Sequence, residues 1–105
     1  MVTSFQEEQG VEMVLRSYAQ NELSEGAFPC AAVDTLIYWL VQRRKISAAK
    51  DIHEEHFATL TSRSADDLQP ALEAMEARRS LLDSYARFPK VPPRPFRVAM
   101  ENVLQ

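Results

Sequence analysis

The amino-acid sequence predicts a mainly α-helical single domain, with one stretch near its end that admits two readings. Three observations carry this. Apolar residues recur at helical spacing from Val11 to Met75, and helix-start signals stand at Ser4, Pro29, Ser47 and Ser64. After Arg79 the period changes, shortly before four of the six prolines fall between residues 89 and 95.

Helix one is expected from Ser4, because SFQE has capping-box spacing, with Ser4 as the cap and Glu7 reaching back. Phe5, Val11, Val14, Leu15, Tyr18 and Leu23 follow at helical spacing, and the turn SEG ends the pattern. Gly10 weakens the first two turns by up to ~1 kcal/mol relative to alanine. Helix two opens with Pro29 at the first helical position and closes with QRRK, which complements the macrodipole. Its stripe is Val33, Leu36, Ile37, Leu40 and Val41, widened by Tyr38 and Trp39, and this segment is the expected central core helix.

Helix three follows the step KIS, with Ser47 as its cap and Ala49, Ile52, His56 and Phe57 towards one face. In the fourth, Ser64 and Asp67 stand at capping spacing, and Leu68, Ala71, Leu72 and Met75 mark the buried side. Pro70 is expected to shift the regular part of this helix downstream or tighten its start. LLDSYARF (81–88) then reads as a helix continuing to Phe88 through Leu82 and Tyr85. It also reads as a strand, with Leu81, Asp83, Tyr85 and Arg87 alternating against Leu82, Ser84, Ala86 and Phe88, answered across the proline loop by PFRVAM. Local pattern leaves both open.

The bulk numbers bound the rest. A chain of 105 residues, 46% hydrophobic and 26% charged, suits one globular domain with a single core. The lone Cys30 cannot form an internal disulfide, so a reducing compartment is expected. The start MVTSFQEEQ is unlike a secretory signal, and AAVDTLIYWLV, broken by Asp34, is shorter than the roughly 20 residues a bilayer requires. These features point to a soluble, cytoplasmic protein. The net charge of −3 is uneven. Residues 1–42 carry one basic and six acidic side chains, residues 43–76 five and seven, and residues 77–105 six and two. The two ends are therefore expected to face different partners.

The stretch ISAAKDIHEEHFATLTSRSADDLQPALEAMEARRSLLDSY resembles the winged helix-turn-helix pattern, with Ser64, Leu68, Ala71, Leu72, Met75 and Leu82 at matching positions. It departs from that pattern where Arg79-Ser80 replace the usual glycine before the wing. Its spacing is similar to the C-terminal winged helix of phage and plasmid primase–helicase-like proteins, where a tryptophan-containing helix such as LIYWLVQRR precedes it. The resemblance implies an α+β fold, mainly α with a small β wing: strands at 81–88 and 95–100, the prolines at the tip and edges, and helix one as an extra N-terminal helix. The single domain 1–105 then divides into 1–26 (helix and turn), 27–100 (core) and 101–105 (tail). An all-α four- or five-helix bundle with a proline linker is the alternative.

Candidate chemistry is sparse. PKVPPR fits a polyproline ligand for an aromatic-lined groove, a match short enough to arise by chance. His53 and His56 lie three apart but lack further evident ligands, so no metal is expected; His56 is read as partly buried and His53 as solvated. Cys30 at a helix start is read as a buried structural thiol, and with only Gly10 and Gly26 there is no phosphate-cradling loop. A non-enzyme without cofactor is expected.

Two functions of different class remain. The resemblance implies a DNA-transaction module, of the kind found in phages and mobile elements, that holds nucleic-acid backbone through Arg63, Arg78, Arg79, Arg87, Lys90, Arg94 and Arg97. The expected recognition helix instead turns Asp66, Gln69, Glu73 and Glu76 outward, where acids would repel phosphates. Those four residues, or the aromatic face of helix two, would suit a protein–protein interaction module such as an antitoxin, a phage-encoded inhibitor or an assembly subunit. Its partner would be another protein or a second copy in a homodimer, with no DNA, membrane or small-molecule substrate.

Overall fold

A computed structural model of the chain describes residues 4–62, 68–90 and 92. They form four helices in chain order: α1 (Ser4–Glu25), α2 (Ala31–Gln42), α3 (Ile46–Thr61) and α4 (Gln69–Arg87). Helix α2 is the core element, because Val33, Leu36, Ile37, Trp39, Leu40 and Val41 are all buried and leave little of its circumference for water. Full burial of each aliphatic side chain is worth about 1.5–3 kcal/mol, so this short helix is held by packing rather than by propensity. Helix α1 lies on α2 and α3 through Ala19 and Leu23, and α3 touches all three other helices. Helix α4 runs antiparallel along α3, where Lys50 pairs with Asp83 at 3.0 Å and Arg79 with Glu54 at 2.6 Å.

Two tight closures set these directions. At the end of α1, Gly26 adopts φ 60° and the Ala27 N–H donates to Glu22 O at 3.1 Å. A Cβ on Gly26 would sit 2.7 Å from the Leu60 nitrogen, so only glycine lets the α1 terminus cross the α3 backbone there. At the end of α2, the N–H of Arg44 donates to Val41 O at 3.0 Å and that of Lys45 to Leu40 O at 2.9 Å. This is the Schellman pattern, with Arg44 at φ 62° where glycine is usual.

The expected wing is overturned. Among the described residues there is no strand, and 81–87 continue α4, closed by a Phe88 N–H bond to Ser84 O at 2.8 Å. The reason is one continuous buried face: Ala71, Met75, Arg78, Leu82 and Tyr85 recur every three or four residues, with Ala74 beside them. In the alternating reading, Asp83 and Arg87 would have shared a side with Tyr85, yet both are exposed while Tyr85 is buried. The α+β winged fold is thus replaced by the all-helical arrangement; the proposed second strand, 95–100, lies outside the described residues, as does the Ser64 cap.

Other boundaries move slightly. Helix α2 begins at Ala31 rather than Pro29, after a cis Phe28–Pro29 peptide. Helix α3 begins at Ile46, with no side-chain cap bond. Helix α4 begins at Gln69 with Pro70 in its first turn, and the expected start at 64–67 lies outside the described residues. Among the described residues no helix is long and apolar enough to cross a membrane.

Candidate functional site

The chemistry-bearing side chains converge on one buried arginine. Arg78 projects from the middle of α4 and is fully buried. A guanidinium has five N–H donors and no acceptor, and here each donor has a partner. Nε donates to His53 Nδ1 at 2.9 Å; Nη1 donates to Asp34 Oδ1 at 2.8 Å and to Cys30 Sγ at 3.7 Å. Nη2 donates to His56 Nδ1 at 3.0 Å and to Met75 Sδ at 3.0 Å. Taking such a cation out of water costs several kcal/mol, which only a complete set of partners and a counter-ion offsets. Asp34 is that counter-ion, with a quarter of its side chain exposed.

This arrangement sets the protonation of both histidines. Because arginine can only donate, Nδ1 of His53 and of His56 must each present a lone pair. His56 therefore carries its proton on Nε2, which donates to the Ala27 carbonyl at 2.8 Å. Burial, reinforced by the Arg78 charge, lowers His53 to about 4. His56 is also lowered, again by burial first, against the opposing bond to Ala27. Burial, followed by the Asp34 charge, pushes the Cys30 thiol up to about 12. The thiol is thus kept neutral and a poor nucleophile. Glu22 of α1 completes the surroundings: its carboxylate accepts from the N–H groups of Ala32 at 3.3 Å and Val33 at 2.9 Å, serving as the missing N-terminal cap of α2.

The cluster is a tie between α2, α3 and α4. With five donors committed, Arg78 has none to offer a substrate or a phosphate. Among the described residues, no group of three or more His, Cys, Asp and Glu could hold a metal ion. His53, read from the sequence as solvated, is only 2% exposed, because its ring accepts from Arg78 and stacks near Phe57 at 6.1 Å.

The residues expected to touch nucleic acid are not brought together. Arg78 is withdrawn into the core and Arg79 is bonded to Glu54. Arg87 and Lys90 are exposed at the end of α4, while Arg63, Arg94 and Arg97 lie outside the described residues. Of the expected partner-binding set, Gln69, Glu73 and Glu76 are exposed on α4, Gln69 donating to Glu73 at 3.3 Å; Asp66 lies outside the described residues. The aromatic face of α2 is mostly used internally. Trp39 is buried beneath Arg43 and Lys45, whose cations lie 5.2 and 5.6 Å from its ring. Those same cations reach α1, Arg43 to Glu8 and Lys45 to Glu12, each at 3.2 Å.

Most of the large exposed apolar side chains among the described residues are instead on α1, with Phe28 and Phe88 exposed singly elsewhere. Val11, Met13, Val14 and Tyr18 are 45%, 70%, 52% and 72% exposed. Val11, Val14 and Tyr18 belong to the helical stripe read from the sequence and Met13 does not, and nothing in such a stripe says which of two neighbouring rows is covered. No protein-family profile, curated protein or solved structure matches the chain. What its geometry defines is an all-α domain tied by a buried arginine, with one helix face left apolar and open.

Proposed function

We propose that the protein is a non-catalytic interaction module that holds a protein partner on the outer face of α1, working in the reducing cytoplasm. One observation carries this: Val11, Val14 and Tyr18 form an exposed apolar row on a helix whose neighbouring face is already packed. Single exposed apolar residues are ordinary, but a row of them on one helix face marks a contact surface. The cytoplasmic reading is supported by a single cysteine that is buried and has no thiol partner. The nucleic-acid reading loses Arg78 to the core and Arg79 to an ion pair, so the protein partner is preferred.

The test compares the wild-type chain with a Val14→Ser/Tyr18→Ser variant as bait in host extract, with and without nuclease. A protein identified with the first and absent with the second, unaffected by nuclease, is the expected outcome. Capture that survives the substitutions, or retention on duplex DNA at about 50 mM salt that is lost with Arg87→Ala/Lys90→Ala, would count against the proposal.

A further inference from the structure

The open face of α1 has a register that restricts what can sit on it. Glu7, Val11, Val14, Tyr18, Asn21 and Glu25 follow one another in steps of four, three, four, three and four, the spacing of a coiled-coil seam, and all six are exposed. The neighbouring seam on the same helix contains Leu15 and Ala19, which pack into the domain. Along the solvent side of the open seam stand Gly10, Ser17 and Ser24, seven residues apart and all exposed. Nothing lies within 4 Å of where a Cβ on Gly10 would be. An incoming helix therefore meets three small, uncharged residues beside the apolar centre, and the charges that select it are the acids at the two ends.

Those acids argue against self-pairing. In an antiparallel pair of α1 helices, the layer that sets Val14 against Tyr18 of the second copy also sets Glu7 against Glu25. In a parallel pair, each glutamate meets its own counterpart. In the fully overlapped register, both orientations place like charges at both ends of a short apolar contact. We propose that this seam seats an amphipathic helix of another protein, with an apolar centre and a basic residue near each end. The proposal rests on the reading of α1 as the docking face and adds the chemistry of the occupant.

The probe is a synthetic amphipathic helix with leucine at the seam positions and lysine opposite Glu7 and Glu25; a control carries glutamate at those ends. At low salt the full chain is expected to bind the lysine-ended helix about tenfold more tightly than the control, with the gap narrowing as salt is added. In Glu7→Lys/Glu25→Lys the preference reverses. Val14→Ser/Tyr18→Ser binds neither probe while melting like wild type, since both side chains are exposed.

Equal affinity for the two probes, a preference unmoved by the charge exchange, or undiminished binding by the serine variant overturns the proposal. A wild-type dimer in sedimentation that the serine variant abolishes overturns it in favour of a second copy. Displacement of the probe by a peptide of residues 93–105 overturns it in favour of the chain's own C-terminal segment. If a host partner still depends on Val14 and Tyr18 while the probes bind equally, the docking face stands and the basic-helix proposal alone falls.

Discussion

Replacing Arg78 by leucine removes five donors at once and leaves the lone pairs of His53 and His56, and the Asp34 carboxylate, facing an apolar side chain. Removing one partner of a buried pair typically costs about 3–5 kcal/mol. Urea unfolding should show a loss of that size for Arg78→Leu, and a similar one for Asp34→Ala, which strands the cation. The double variant is expected to lose much less than the two single losses combined, because each single change owes most of its cost to the charge left behind. The histidines give the tie a pH dependence. Both are neutral in the fold, and His53 is held at about 4 against an ordinary value near 6.5. The unfolded chain then binds more protons than the native one below pH 6.5, so stability falls as pH drops from about 6.5 towards 4, by about 3 kcal/mol for His53 alone. Melting curves across this range check it; His53→Gln, which keeps an acceptor, should flatten the slope.

At the level of the helices, the two closures predict opposite responses. Arg44 holds φ 62° with a side chain attached, so Arg44→Gly is expected to raise stability by about 1 kcal/mol. Gly26→Ala should lower it by more than that, because φ 60° is compounded by a Cβ within 2.8 Å of the Leu60 backbone. Denaturant midpoints of the two variants measure both. Helix content was largely legible: α2 and its buried stripe follow from composition and period alone. The segment 81–88 was not, because in eight residues a period of two and a period of 3.6 can share the same apolar positions. What decides between them is Arg78, one turn upstream. A charged residue in an apolar row reads as a surface residue until its five acceptors, drawn from α2, α3 and α4 itself, are assembled in space.

For the whole domain, the same limit explains the candidate site. Val11, Val14 and Tyr18 stand out in the sequence as apolar, but their exposure depends on how α1 is rotated over α2 and α3. That rotation is set by contacts remote in sequence: Glu8 with Arg43, Glu12 with Lys45, and Glu22 on the start of α2. Burial pushes the Glu12 carboxyl up, yet the bonds from Lys45 and Arg16 outweigh it and hold the group below its ordinary value. The ion pairs are half-exposed and individually weak. Their contribution is to fix which of two adjacent apolar rows faces inward, and so which one a partner can reach.

The chain has a single tryptophan, and its ring is roofed by the two cations that also bind α1. Trp39 is thereby an intrinsic optical gauge for the seating of one helix, distinct from the far-ultraviolet signal that reports helix content. Glu8→Lys/Glu12→Lys reverses the pairs that hold Arg43 and Lys45 in place. Its fluorescence maximum is expected to move to longer wavelength as water reaches the indole, with little loss of circular dichroism. If occupancy of the outer row tightens α1 against its neighbours, the emission of the wild-type chain shifts the other way on titration with a partner. Docking at Val14 can then be followed without a label, from light emitted on the opposite side of the helix.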